Sequence, residues 1–309
     1  MAEILAVRDV VKVFGSVRAV DGVSFAVRKG TITGLLGRNG VGKTTTIRMI
    51  TGIFMPDSGA IDWLGTSPGA GAHFRDRIGY LPEERGLYKQ MKVIEHLLFL
   101  AEIKGRRPAD VRPQIDAWLD RFELLDKRDS KIEELSKGNQ QKVQLIGTLL
   151  HDPDLIILDE PQSGLDPVNM VLVRDLLIQL KEEGRTILLS THMMSEAERM
   201  ADDIVLIDHG KVVLKGALED VRKSFGENTL RIDFEGDGEF LAQLPEVRKG
   251  NVVTNSAELT LADGADPQRV LQSAMGRVRI RRFEVGAPSL EKIFIDQVGA
   301  ETLGAEAGR

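Results

Sequence analysis

Gly37-Arg38-Asn39-Gly40-Val41-Gly42-Lys43-Thr44 meets every fixed position of the pattern G-x-x-x-x-G-K-[ST], a loop that cradles phosphate groups at the start of a helix. Its surroundings suit that reading. Thr31-Ile32-Thr33-Gly34-Leu35-Leu36 ahead of it reads as a buried strand, and Thr44-Thr45-Thr46-Ile47-Arg48-Met49-Ile50 behind it reads as the first turns of a helix. The glycines allow backbone angles and approaches that a β-carbon blocks, so successive N–H groups can point at phosphate oxygens. Lys43 adds a positive charge, and the Thr44 hydroxyl can ligate Mg²⁺. The bland alternative is a glycine-rich turn that merely enters a helix, and the strand and helix on either side argue against it.

The wider chain bounds what such a loop can serve. At 309 residues it is long enough for about two domains with sizeable cores. It has no cysteine, which excludes disulfides, thiolate-bound zinc and thiol catalysis. The net charge is −6, aromatic residues make up 5%, and no dense Lys/Arg run occurs, so no nucleic-acid partner is expected. No apolar run is long enough to cross a bilayer, and Met1-Ala2-Glu3-Ile4 lacks the build of a signal peptide. The expectation is a cytosolic chain whose membrane role, if it has one, comes through a partner.

Outward from the loop, Ile4 to Phe14 and Val23 to Val27 read as strands, with turns expected at Gly15-Ser16 and Asp21-Gly22. Phe14 has two readings here, a flat face for an adenine ring or a strand-end core aromatic. Residues Val93 to about Leu150 carry helical spacing, with Val93, Ile94, Leu97, Leu98 and Ala101 on one face. Pro108 and Pro113 are expected to punctuate this stretch. Leu155-Ile156-Ile157-Leu158-Asp159-Glu160 is an apolar run ending in two carboxylates, as a central parallel strand would be at its ligand-facing end. Asp159 is placed to hold Mg²⁺, directly or through water, and Glu160 to face an attacking water; the alternative is a pair of solvated acids.

A helix from Pro167 to Glu183 leads to the strand Thr186 to Ser190, then Thr191 and His192. His192 can donate to a phosphate oxygen, orient Glu160, or cap the following helix. His73, His96, His151 and His209 show no metal-ligand spacing and read as surface or core residues. Strands at Ile204 to Asp208 and Lys211 to Leu214 flank a His209-Gly210 hairpin turn. Beyond Gly226, alternation at Leu230 to Phe234, Leu259 to Leu261 and Val278 to Arg281, with a helix at Pro267 to Met275, predicts a small α+β domain. The tail after Gly299 is expected to fray.

One further stretch decides a resemblance. Leu135-Ser136-Lys137-Gly138-Asn139-Gln140-Gln141 resembles the LSGGQ signature of ATP-binding cassette ATPases, with Lys137 and Asn139 as departures. The other elements follow in that family's order: Gly37 to Thr44 as Walker A, Glu83 at the Q-loop, Asp159 and Glu160 as Walker B with its catalytic glutamate, Ser163 to Asp166 as the D-loop, and His192 as the switch histidine. Phe14 matches the adenine-stacking aromatic, which favours the first of its readings. The resemblance covers about residues 3 to 225. The wording Ile78 to Tyr88, the signature itself and Pro288 to Phe294 look like the subgroup serving ABC-2-type exporters, including sodium-efflux-like ATPases.

The resemblance implies an α/β phosphate-loop NTPase core with an antiparallel β subdomain and an α-helical insertion at about 85–150. It implies boundaries of 1–225 for the nucleotide-binding domain and 226–309 for a C-terminal α+β domain. It implies ATP hydrolysis that powers export, with catalytic Glu160, His192 and Lys43. ATP is expected on Phe14, Gly37, Asn39, Gly40, Gly42, Lys43, Thr44, Thr45 and, from a second copy, Ser136 and Gly138; Mg²⁺ is expected on Thr44, Glu83 and Asp159. The partners implied are a second cassette, a homodimer being expected, and a polytopic permease that holds the chain at the inner face of the membrane. Lys137 is expected to point to solvent. The rival readings are a soluble cassette ATPase acting on ribosomes or DNA, and a nucleotide-dependent regulator.

Overall fold

The computed structural model describes residues 2–63, 76–84, 86–226 and 228–297. His73, Arg85 and the tail after Gly299 lie outside the described residues. The chain forms two compact units, Met1–Ala217 and Leu218–Arg309. The helix Leu218–Ser224 therefore belongs with the second unit, whereas the sequence reading put the boundary at 225/226.

In the first unit, short apolar runs become central strands because both faces are covered. β3 (Ile32–Leu36), β5 (Ile78–Leu81), β6 (Leu155–Asp159), β7 (Thr186–Thr191) and β8 (Asp203–Asp208) are parallel, and β9 (Lys211–Ala217) closes the sheet antiparallel to β8, in the order β5-β6-β7-β3-β8-β9. Every residue of β3, β6 and β7 is buried. The register sets Leu36 beside Thr191 and Asp159 beside Ser190, so the chain leaves β3, β6 and β7 at one end of the sheet.

β1 (Glu3–Phe14), β2 (Val17–Arg28) and β4 (Ser58–Trp63) make a separate antiparallel sheet in the order β2-β1-β4. Val7, Phe25, Ile61 and Trp63 from it share one core with Leu35, Ile157 and Leu188 of the parallel sheet. Asp21-Gly22 is not the expected turn: β2 runs through it. Val10 pairs with Val23 and Val11 with Asp21, which leaves Gly22 as a bulge at φ +71°. The alternation breaks there because an extra residue is absorbed, not because the strand ends.

The helix α1 (Lys43–Ile50) follows the phosphate loop, and the insertion supplies α2 (Val93–Ile103), α3 (Pro108–Arg121) and α4 (Lys137–Leu149). Pro108 occupies the first turn of α3 as expected, but Pro113 lies inside that helix instead of breaking it. Val111, Ile115 and Leu119 are fully buried, and this packing outweighs the lost backbone hydrogen bond.

His96, on α2, is fully buried and, among the described residues, neither ring nitrogen has a hydrogen-bond partner. Burial holds its pKa down to about 4, against 6.5 for a free imidazole. The unfolded chain therefore takes up this proton first. Stability is fully present above about pH 6.5 and falls as the pH drops towards 4, by up to on the order of 3 kcal/mol. His96→Leu should flatten this acid limb in denaturant titrations run at several pH values. Parallel limbs for the two proteins would show that His96 does not govern it.

The second unit contains α7 (Leu218–Ser224, preceded in the chain by α5, Pro167–Glu182, and α6, Met194–Met200) and the strands β10 (Thr229–Glu235), β11 (Val247–Val253), β12 (Ser256–Leu261) and β13 (Arg279–Gly286). The strands form an antiparallel sheet in the order β11-β12-β10-β13, and α8 (Pro267–Ala274) adds Val270 and Ala274 to its core. β4 and β11 escaped the sequence reading: β4 opens on Ser58-Gly59-Ala60, and Val247 to Val253 is broken by Arg248, Lys249 and Asn251.

Candidate active site

The phosphate loop is held open by its neighbours. A β-carbon at Gly37 would lie 2.3 Å from the Ile207 carbonyl oxygen, and one at Gly42 would lie 2.4 Å from that of Ala19. Both residues also have positive φ, so glycine is required at each on two counts. Asn39 and Gly40 are exposed at the loop's outer bend, and Thr44 and Thr45 are half-buried in the first turn of α1. The Lys43 ammonium is buried and bends back over the loop, donating to the carbonyl oxygens of Gly37 at 2.7 Å and Arg38 at 3.1 Å.

Across from the loop stand the carboxylates that end β6. Asp159 is fully buried; one oxygen accepts from the Ser190 hydroxyl and the other has no hydrogen-bond partner among the described residues. Glu160 Oε1 lies 3.4 Å from Lys43 Nζ and makes no hydrogen bond among the described residues, and Glu160 Oε2 lies 3.0 Å from His192 Nδ1. Glu160 is itself in left-handed backbone at φ +49°, fixed by its N–H on the Ser190 carbonyl at 3.1 Å. A non-glycine residue there costs about 1 kcal/mol or more, and such strain gathers at functional sites. The Thr191 hydroxyl accepts from Met193 N–H just ahead of α6, no side chain caps that helix among the described residues, and His192 faces Glu160.

The structure thus brings Lys43, Asp159, Glu160 and His192 to one end of the sheet. Orphaned acid oxygens buried beside a buried ammonium mark a place built for a charged guest, since unpaired buried polar atoms are costly. The donors fit Mg²⁺: the free Asp159 oxygen and the Thr44 hydroxyl are hard oxygen ligands. Among the described residues no cluster of three or more acid or histidine side chains could hold a metal unaided.

Glu83 is exposed in the segment after β5, whose Leu81 pairs with Leu158 of β6. Between them, the phenol of Tyr80 is pushed up to about 12, chiefly by burial and then by the Asp159 carboxylate. Phe14 is half exposed at the end of β1, edge-on to Phe54 with centroids 5.4 Å apart. Ser136 caps α4 by accepting from Asn139 N–H at 3.2 Å, and Lys137 is exposed. Among the described residues, no hydrogen bond or ion pair joins Ser136 or Gly138 to the Lys43 cluster.

Two contributors were invisible in the sequence. Ser190 reaches Asp159 only because β6 and β7 pair in parallel at that register. Gln162 donates to buried Glu196 at 3.3 Å, and Glu196 also takes Arg199 at 3.1 Å, so the turn after Glu160 is tied to α6. Aligning the apolar runs of β6 and β7 would have suggested the first contact; the second has no local signal.

The chain is similar to known proteins. Residues 20–163 match the family described as ABC transporter, and residues 216–298 match the family described as ATP-binding protein DrrA1-3-like, C-terminal domain. The chain is 41% identical over 296 residues to the uncharacterized ABC transporter ATP-binding protein YhaQ of Bacillus subtilis (strain 168), covering 96% of this chain and 99% of that one. It is 36% identical over 294 residues to the Nod factor export ATP-binding protein I of Rhizobium sp. (strain N33), covering 94% and 95%. A solved ATP-binding subunit of an ABC transporter superposes with a TM-score of 0.67 at 35% identity, over 72% of this chain and 93% of its own. The chain belongs to the ABC transporter ATP-binding proteins, and it is an ATP-hydrolysing subunit of such a transporter.

Proposed function

We propose that two copies of the chain close head to tail over two ATP molecules and power an exporter of the ABC-2 type. Each site would combine Lys43, Thr44, Asp159, Glu160 and His192 of one copy with Ser136 and Gly138 of the other. The observation that carries this reading is Gly138. A β-carbon there would make only ordinary contacts, 3.7 Å from Leu165 and 3.8 Å from Asn169, so no contact among the described residues demands glycine. The need for a bare backbone at the start of α4, where N–H groups favour anions, then lies with a guest from outside. Export is supported by the Nod factor export protein among the relatives. No helix among the described residues is long and apolar enough to cross a membrane, so the chain would sit on the inner face through a polytopic permease.

Within the site, Phe14 stacks on the adenine, while the backbone of Gly37, Asn39, Gly40, Gly42 and Thr45 and the Lys43 ammonium take the phosphates. Bound Mg²⁺ supplies positive charge against the phosphate oxygens. Thr44 and Asp159 hold it, and Glu83 senses it together with the permease. Lys43 must leave its loop carbonyls to meet phosphate. Glu160 orients the attacking water and accepts its proton, and His192 steers the Glu160 carboxylate.

Two experiments test this reading. A Lys43→Ala chain and a Ser136→Arg chain should each be inactive alone and regain turnover when mixed. Glu83→Gln should change both the Mg²⁺ concentration at half-maximal ATPase and the stimulation by permease; if neither moves, Glu83 has no such role.

A further inference from the structure

The second unit contains a sheet with two unlike faces. On one, Leu230, Ile232, Phe234, Ala257, Leu259 and Leu261 pack into an apolar core with α8. The alternate positions of β10 and β12 are Thr229, Arg231, Asp233, Ser256, Glu258 and Thr260, all polar. A sheet face left to solvent would be polar in this way, but here segment 289–297 is fastened to it. Glu258 accepts from the Ser289 N–H and hydroxyl, both at 3.0 Å, and Lys292 donates to the Thr260 hydroxyl. Thr229 and Thr260 are consequently buried. A polar face beneath a helical segment breaks the usual pattern of apolar covering apolar, and such breaks collect where a protein binds something.

Between the segment and strands β11 and β12 lies a cavity of about 680 Å³, the size of a small-molecule site. Most of its charges are already matched. Asp296 pairs with Lys249 at 2.5 Å, and Glu258 is taken up by Ser289 and Arg231. Lys292 is different. It is half-buried and faces the cavity, and its hydrogen-bond partner among the described residues is a neutral hydroxyl. Burial holds its pKa below the usual lysine value, with Lys249 and Arg231 adding to the push and Glu258 and Asp296 opposing it. With Glu258 and Asp296 acting on it only from a distance, each engaged by other groups, an ammonium taken partly out of water and bonded to a hydroxyl can still take an anion. Asn251 and Ser256 add hydrogen-bonding groups to the lining, and Val253 and Ile295, 58% and 56% exposed, give it an apolar rim.

We propose that this cavity binds a small amphiphilic organic anion, its carboxylate or phosphate head on Lys292 and its apolar body against Val253 and Ile295. The residues of this cavity all belong to the second unit, and the proposed ATP-binding residues to the first.

Calorimetry on the full chain tests this with octanoate and octyl phosphate as probes, and acetate and inorganic phosphate as heads without a body. At least one octyl probe should bind saturably with Kd below about 1 mM, and whichever binds more tightly identifies the head. Lys292→Met should weaken binding about ten-fold or more, the scale of a charge-assisted hydrogen bond. Lys292→Arg should retain it, and basal ATPase should be unchanged in both. Ile295→Gln, at an exposed position, should weaken the octyl probes and leave the bare heads as they were; it serves as the deciding variant if Lys292→Met does not fold. The proposal is overturned if neither octyl probe saturates, if binding ignores Lys292→Met, or if the bare heads bind as tightly as the octyl probes.

Discussion

Glu160→Gln is expected to bind ATP normally, to lose hydrolysis by roughly 10²- to 10⁴-fold, the range of general-base contributions, and to accumulate as a dimer in the presence of ATP. The amide keeps the shape of the side chain and its contact with His192, but it cannot accept a proton from water. It also removes one buried negative charge close to Lys43, 3.4 Å away in the wild type, so phosphate binding has no electrostatic reason to weaken. Closure over ATP then persists because the step that ends it is blocked. Size-exclusion chromatography with ATP, alongside phosphate release, reads both effects. Normal turnover by this variant would remove Glu160 from the catalytic role, and loss of ATP binding would recast it as a structural residue.

The second large effect is complementation between inactive chains. Lys43→Ala leaves the phosphate loop without its ammonium and leaves Glu160 buried without its cation, and loss of such a partner is strongly destabilising for the bound charge. Ser136→Arg places a bulky side chain at the exposed N-cap of α4, where the partner's nucleotide is proposed to dock. In a mixed dimer, the Lys43 of one chain and the Ser136 of the other still form one intact site. Turnover should therefore appear on mixing, although neither chain turns over alone. If both variants stay inactive when mixed while Glu160→Gln still dimerises, the pairing is not head to tail. If Ser136→Arg is fully active alone, Ser136 takes no part in the site.

Much of the active site could be read in the sequence because its chemistry is local. The loop from Gly37 to Thr44 needs glycine where the backbone turns left-handed or passes a carbonyl, and those demands fall on adjacent residues. Asp159 and Glu160 advertised themselves as charges at the end of an apolar run. The same local logic failed at Asp21-Gly22, where a bulge resembled a turn, and at Pro113, where packing of α3 overrode a helix breaker. The polar face of the second unit had no signal at all, since alternating polar residues read as a solvated face until a segment some thirty residues away is seen to cover it.

By itself, then, the sequence determined that this chain has a phosphate loop, an acidic strand end and a signature segment, because each is a run of neighbours whose backbone or charge requirements are met within a few residues. Only the tertiary structure decided that Ser190 holds Asp159, that Lys43 lies between loop carbonyls and Glu160, and that His192 turns to Glu160 instead of capping the helix that follows it. Those contacts depend on the parallel register of β3, β6 and β7. That register is fixed by burial of apolar side chains distributed along the whole first unit, and no short stretch of the chain contains it.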